Sequence, residues 1–117
     1  MPHFVLEYTG NITTRPVFSE LFLALHALAH ELADAEVASC KSRAIELKEY
    51  FVGDGNEQLA FVHLDISLLS GRPQMAKESL GNSALQLLKE YFESVYHNLC
   101  PQFTVKINDM PRELYFK

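Results

Sequence analysis

The hydrophobic positions in the first third of the chain change from an alternating to a helical pattern. Residues 3–9 are rich in aromatic and β-branched types and precede Gly10, which predicts a strand followed by a turn. Thr13 or Thr14 then offers a side-chain cap for a helix that runs to about residue 34. The stripe of this helix repeats at spacings of three and four and consists of Phe18, Leu21, Phe22, Leu25, Leu28, Ala29 and Leu32.

The remaining two thirds repeat the same change of pattern. Residues 37–52 predict a second strand, which ends at the turn signal Gly53-Asp54-Gly55. Residues 58–69 predict the clearest strand of the chain, because Ala60, Val62, Leu64, Ile66 and Leu68 share one face. A second helical stripe continues to about residue 98, and alternation from Phe103 to Ile107 predicts the last strand.

The element order is therefore strand, helix, strand, followed by strand, helix, strand. Each half is long enough for two parallel strands joined by a crossover helix. We predict a single domain over residues 1–117, with one βαβ unit over about 1–53 and another over about 56–117. The expected fold is α/β in the two-layer α+β sense: a four-stranded mixed sheet with two helices on one face.

Two helices leave the other face of such a sheet uncovered. That face would combine apolar and polar side chains, namely Val5, Leu59, Phe61, His3, Glu7, His63 and Asp65. Because a mixed face of this kind is better hidden in an oligomer than left in water, we expect the chain to assemble.

Composition narrows the class of protein. Hydrophobic residues make up 48% of the 117 residues and charged residues 21%, which is typical of a globular chain. The formal net charge of −5 disfavours a nucleic-acid partner. No segment has the length of apolar sequence that a membrane span needs, and the start of the chain lacks the pattern of a signal peptide. Cys40 and Cys100 have no metal or redox spacing and are expected to be reduced and mostly buried, which favours a cytoplasmic protein.

Pro2 is the first candidate for chemistry. Initiator methionine is normally removed before proline, and the exposed secondary amine becomes a neutral base when burial lowers its pKa. Phe4 shares a strand face with Pro2 and is expected to contribute to an apolar, aromatic binding site. The alternative is that Pro2 only begins a strand.

Three cations form the second candidate set. Lys41 and Arg43 lie two residues apart on one predicted strand face. Arg72 lies in the turn between a predicted strand and the helix that follows it. Guanidinium groups bind carboxylates with two hydrogen bonds and stabilise developing enolate charge. The alternative for each is a solvated surface cation that pairs with an acidic residue.

The histidines give weaker signals. His26 and His30 have the i, i+4 spacing of metal ligands, but both are expected to point away from the helical stripe, and no third ligand is evident. We therefore predict no metal site. His63 and Asp65 share a strand face, either as an acid–base pair or as a polar pair at a subunit interface.

Several segments together resemble the 5-carboxymethyl-2-hydroxymuconate isomerase family of the tautomerase superfamily. They are MPHFVLEYTGNI at the start, KSR at 41–43, AFVHLDISLLSGR at 60–72 and the final LYFK. The resemblance implies a tautomerase-like trimer of βαβ-βαβ chains, with active sites near subunit boundaries. It also implies that Pro2 acts as base and then acid, without a cofactor, on a dienol diacid in the breakdown of aromatic compounds.

The resemblance also implies that Arg72, with Lys41 or Arg43, holds the substrate carboxylates and the developing oxyanion. Arg72 matches the family's arginine in its Gly-x-Gly-Arg turn, and Lys41-Ser42-Arg43 stands where the family has Arg-Ser-Arg. Lys41 keeps the charge of that arginine but loses its planar fork. Two alternatives remain: a tautomerase acting on another enol or halogenated acid, and a non-catalytic trimer with a binding or structural role.

Overall fold

A computed structural model describes the whole chain, residues 1–117. Short 3-10 turns occur at Val37–Ser39, Glu93–His97 and Arg112–Leu114. The main elements confirm the predicted order and are β1 (His3–Thr9), α1 (Phe18–Ala33), β2 (Lys41–Leu47), β3 (Leu59–Leu69), α2 (Gln74–Tyr91) and β4 (Cys100–Met110).

The four strands form one mixed sheet in the order β2-β1-β3-β4. The pairs β1–β2 and β3–β4 are parallel, whereas the central pair β1–β3 is antiparallel. Each parallel pair is joined through a helix, as a βαβ unit requires. The predicted two-layer α+β fold is therefore confirmed.

One face of the sheet is buried under the helices. Alternate residues of β1 and β3 point to this face, because side chains alternate along a strand. They pack against the stripes of α1 and α2, and burial of each large apolar side chain contributes about 1.5–3 kcal/mol. Neither helix combines the length and the apolar character needed to cross a membrane. The fully buried strand residues are Phe4, Leu6, Ala60, Val62, Leu64, Ile66 and Leu68.

The opposite face, called the open face below, carries no helix. Its residues on β1 and β3 are half-buried, including the predicted mixed set from His3 to Asp65. Assembly through this face remains a prediction.

The start of α1 differs from the prediction. The helix begins at Phe18 with the extended residue Val17 as its N-cap, and no side chain caps it. The predicted cap at Thr13 or Thr14 is wrong, and both threonines are exposed. An N-cap side chain must directly precede the first helical residue to reach the free N–H groups of the first turn, and both threonines lie too far before Phe18 for that.

Two other elements end earlier than predicted. Strand β2 stops at Leu47, because Thr9, its partner in the last pair, is also the end of β1. Residues 48–52 therefore have no strand beside them. Helix α2 ends at Tyr91, and the region up to His97 that was predicted as helix is a 3-10 turn.

Candidate active site

One end of the sheet collects the predicted site residues. Strands β1 and β2 are parallel, so both begin at this end, and His3 pairs with Lys41 there. Strand β3 is antiparallel to β1, so it finishes at the same end, where Ser67 pairs with His3. The topology thus brings Pro2, Lys41 and the segment after β3 to one edge, although they are far apart in sequence.

Pro2 lies on the helix-covered face of the sheet and is buried. Its carbonyl accepts a hydrogen bond from the backbone N–H of Lys41 at 3.0 Å. Next along the same face is Phe4, which is 0% exposed and packs on the ring of His26 at a centroid distance of 5.2 Å. The ring of Phe4 therefore lies in the core below the site rather than on its surface.

Arg72 links α1 to the end of β3. Its Nε donates to the carbonyl of Ala33 at the last turn of α1, and its Nη1 donates to the carbonyl of Leu69 at 2.9 Å. A cation is favourable at this place, because the last carbonyls of a helix lack partners and carry partial negative charge. The two bonds fix the guanidinium while its Nη2 donors remain for an anion.

The amino group at the start of the chain, which belongs to Met1, has its pKa lowered by this environment. Burial is the largest cause, and the positive charge of Arg72 is the next. Lys117 and Lys41 act in the same direction, whereas Cys40 acts in the opposite one. These effects favour the neutral form of the amine, which is the form that accepts a proton.

Lys41 and Arg43 face away from Pro2. They pair with His3 and Val5 across the sheet, so both lie on the open face, and both are exposed. Lys41 donates through Nζ to the carbonyl of Ser39 at 3.2 Å. Arg72 therefore lies at the same end of the sheet as Pro2 and acts on the terminal amine there, while Arg43 acts on His3.

Neither Lys41, Arg43 nor Arg72 forms an ion pair. The salt bridges of the chain are Arg15–Glu46, His63–Asp65 and Lys77–Asp109. These three cations have no carboxylate partner within the chain, and together they place positive charge near this end of the sheet. The end of the sheet is therefore suited to a carboxylate ligand.

His26 and His30 do not share a ligand-binding face. The prediction that both point away from the stripe is wrong for His26, whose Nε2 lies 2.6 Å from Ser42 Oγ between α1 and β2. Burial lowers the pKa of His26, so burial favours its neutral ring. His30 is exposed, and its Nδ1 lies 2.9 Å from the carbonyl oxygen of Ala35. No three His, Cys, Asp or Glu side chains lie close enough to hold a metal ion.

His63 and Asp65 lie on the open face. His63 Nε2 is 3.9 Å from Asp65 Oδ2, and His63 Nδ1 is 2.6 Å from Thr104 Oγ1. Asn108 donates to the other carboxylate oxygen of Asp65. These contacts satisfy the pair within the sheet and leave it without a link to Pro2.

Sequence reasoning missed two residues beside Pro2. Cys40 comes just before the Lys41–His3 pair, and its charge interactions with the terminal amine place it near that amine. Burial raises the pKa of its thiol. Tyr115 contacts His3 from the far end of the chain. The position of Cys40 depends on the strand register, and that of Tyr115 depends on the path of the last residues. Neither leaves a periodic signal in the sequence.

Cys100, predicted to be buried, is exposed.

Two concavities of the chain lie away from these residues. One of about 650 Å³ lies between α2 and β4 and contains the Lys77–Asp109 ion pair. A second of about 580 Å³ lies along the loop from Lys48 to Leu59. Neither includes Pro2 or Arg72, so neither belongs to the candidate site.

Comparison with known proteins identifies the family of this chain. The sequence profile of the 5-carboxymethyl-2-hydroxymuconate isomerase family matches residues 2–117. The chain is 23% identical to the 5-carboxymethyl-2-hydroxymuconate Delta-isomerase of Escherichia coli, over 100% of this chain and 93% of that relative.

Solved structures extend the likeness to the fold. A 5-carboxymethyl-2-hydroxymuconate isomerase from Deinococcus radiodurans R1 has a TM-score of 0.88 and 28% identity, covering 99% of this chain and 87% of that one. A fused 4-OT wild-type symmetric trimer has a TM-score of 0.68 and 18% identity, covering 94% and 86%, and shares the fold. With its family profile matched from Pro2 to Lys117, this chain belongs to the 5-carboxymethyl-2-hydroxymuconate isomerase family and is an isomerase with the tautomerase fold.

Proposed function

We propose that the chain, after removal of Met1, converts a 2-hydroxymuconate-type dienol to its unsaturated ketone, with Pro2 as the proton carrier. The substrate favoured by the family is 5-carboxymethyl-2-hydroxymuconate, in the cytoplasmic breakdown of aromatic compounds. The observation that carries this proposal is the meeting of Pro2 and Arg72 at one sheet end, among cations without carboxylate partners.

The reaction is a proton shift that leaves the formula of the substrate unchanged. The lone pair of the neutral Pro2 nitrogen takes the enol O–H proton, and the electron pair of that bond forms the ketone C=O. The π electrons move along the conjugated chain to a distal carbon. The Pro2 N–H bond then breaks and a C–H bond forms at that carbon, which returns the amine to its neutral state.

Arg72 stabilises the charge that develops in this shift. Its guanidinium is held by the carbonyls of Ala33 and Leu69, so little reorganisation is needed when a carboxylate or enolate oxygen meets the Nη2 donors. Preorganised donors of this kind act most strongly where charge appears in the transition state.

The proposal gives the remaining site residues two different roles. In a homotrimer, the open face of one protomer meets its neighbour, and Lys41 with Arg43 adds positive charge at that subunit boundary. Lys41 takes the place of an arginine and acts as a point charge. Phe4 is 0% exposed, so it acts by shaping the floor beneath Pro2.

The pH dependence of kcat/KM tests the role of the amine. Only the neutral amine accepts a proton, so kcat/KM should rise with pH and level off above the amine pKa of the free enzyme. Burial and Arg72 lower the pKa of the Met1 amine from 8.0, and we expect the same surroundings to lower the pKa of the Pro2 amine that replaces it, so the half-maximal value should fall below pH 8.0. The measurement is the initial rate of dienol disappearance at low substrate concentration over about pH 5–9.5.

Titration of the substrate alone, recorded from its ultraviolet spectrum, is the control that separates its ionisation from that of the enzyme. A profile that stays flat across this range, or one with a midpoint above pH 8.0, contradicts a neutral amine base in this environment. If a different enol acid is turned over with the same pH dependence of kcat/KM, the role of Pro2 as the base is supported and only the substrate assignment changes.

A further inference from the structure

The last residues of the chain cross the end of the sheet that holds the site. Strand β4 finishes at Met110, which pairs with Leu69 of β3. Beyond it, Nε of Arg112 donates to the carbonyl of Ser70 at 2.9 Å. Tyr115 then reaches His3, so the segment passes from β4 across the end of β3 to the start of β1.

Tyr115 anchors this segment beside Pro2. Its hydroxyl oxygen lies 2.7 Å from His3 Nε2, and the two rings meet edge to face with centroids 5.8 Å apart. Tyr115 is half-buried, whereas its neighbours Leu114 and Phe116 are 68% and 84% exposed. The contact with the residue next to Pro2 therefore holds an otherwise exposed segment in place.

Lys117 is two residues beyond this anchor. Two extended residues span at most about 7 Å, so the backbone of Lys117 stays near the start of β1. Its positive charge contributes to the lowered pKa of the terminal amine, which is consistent with an ammonium group that lies close to that amine.

The charge around Lys117 is not neutralised by the protein. Like Arg72, Lys41 and Arg43, Lys117 takes part in none of the three salt bridges of the chain. Arg72 already uses Nε and Nη1 on carbonyl groups, and Lys41 lies on the open face. A ligand with several carboxylates would need another cation on the Pro2 side of the sheet.

We propose that Lys117, held in place by the Tyr115–His3 contact, is a further substrate-binding residue that recognises one carboxylate and sets the preference for a tricarboxylate over a dicarboxylate. The inference rests on the proposed function and deepens it. 5-Carboxymethyl-2-hydroxymuconate has three carboxylates, and 2-hydroxymuconate, which lacks the carboxymethyl group, has two. The lysine therefore adds one charge-assisted hydrogen bond for the larger substrate.

Lys117→Gln tests this assignment, because loss of a binding contact should change KM and leave kcat nearly unchanged. For 5-carboxymethyl-2-hydroxymuconate, we expect KM to rise about tenfold, the value of one charge-assisted hydrogen bond, with kcat within about twofold of wild type. For 2-hydroxymuconate, we expect KM to change less than about twofold. Lys89→Gln, an exposed lysine in the last turn of α2, is the matched control and should leave both values unchanged.

Tyr115→Phe tests the anchor separately. It keeps the aromatic contact and removes the hydroxyl, so KM for the tricarboxylate should rise about threefold through the loss of one hydrogen bond. If Lys117→Gln leaves KM for the tricarboxylate unchanged, or raises KM for both substrates equally, the assignment is overturned.

A binding measurement tests this inference independently of the proposed function. If wild type turns over neither substrate, the proposed function fails. Calorimetric binding of propane-1,2,3-tricarboxylate then tests whether Lys117 binds a carboxylate. About tenfold weaker binding to Lys117→Gln than to wild type and Lys89→Gln supports the inference. Equal binding, or no binding to wild type, overturns it.

Discussion

Pro2→Ala lowers kcat for dienol isomerisation about 10²–10⁴-fold, the usual contribution of a positioned general base and acid. Alanine at position 2 also permits removal of Met1, but it supplies a primary amine without the ring that fixes the nitrogen above Phe4. The base is thus less well placed for the same proton transfer.

The fold should survive this change. Pro2 contributes a carbonyl to the sheet, which accepts the N–H of Lys41, and alanine keeps that carbonyl. Circular dichroism and the urea midpoint, compared at equal protein concentration because assembly affects both, should match wild type. A variant that keeps more than about a tenth of wild-type kcat would show that Pro2 is not the main proton carrier.

Arg72→Ala has the second large effect and acts on both activity and stability. We expect kcat/KM to fall about 10²–10³-fold, as for removal of a preorganised donor to a developing oxyanion. The free energy of unfolding should also fall by about 1–3 kcal/mol, because the carbonyls of Ala33 and Leu69 lose a charged donor. The measurements are steady-state kinetics and urea unfolding on the same samples.

Two further variants separate these effects. Arg72→Lys keeps the charge but cannot reach both carbonyls in the same geometry, so it should recover part of the activity. Arg15→Ala removes an ion pair with Glu46 and a cation–π contact with Tyr8, near the end of β2 away from the site. It should affect stability and leave kcat/KM within about twofold. Equal kcat/KM for Arg72→Ala and wild type would assign Arg72 a purely structural role.

The fold could be predicted from the sequence where one physical signal dominates. In β3, the apolar residues Ala60, Val62, Leu64, Ile66 and Leu68 recur with a period of two, which matches a strand with one face fully buried. Signals that depend on tertiary packing were less reliable. Thr13 and Thr14 are good caps in isolation, but the helix begins only at Phe18, beyond the reach of either side chain.

The site could be predicted in part for a similar reason. Pro2 and Arg72 each carry a chemical signal of their own, and the antiparallel pairing of β1 and β3 brings them to the same edge. The contact between His3 and Tyr115 joins residues 112 positions apart and has no periodic pattern, so only the path of the chain reveals it. His26 was misjudged because a helical wheel does not include the neighbouring strand, where Ser42 accepts or donates its hydrogen bond.

The most direct measurement compares two forms of the wild-type sequence in an ultraviolet assay of 5-carboxymethyl-2-hydroxymuconate. In one form, intact mass shows that Met1 is absent; in the other, an N-terminal extension keeps Pro2 inside a peptide bond. An amide nitrogen is not a base, so the first form should accelerate decay of the dienol band and the second should fall to about the level of Pro2→Ala or below. Equal rates for the two folded forms, or no acceleration by the processed form, would contradict an amino-terminal proline isomerase acting on this substrate.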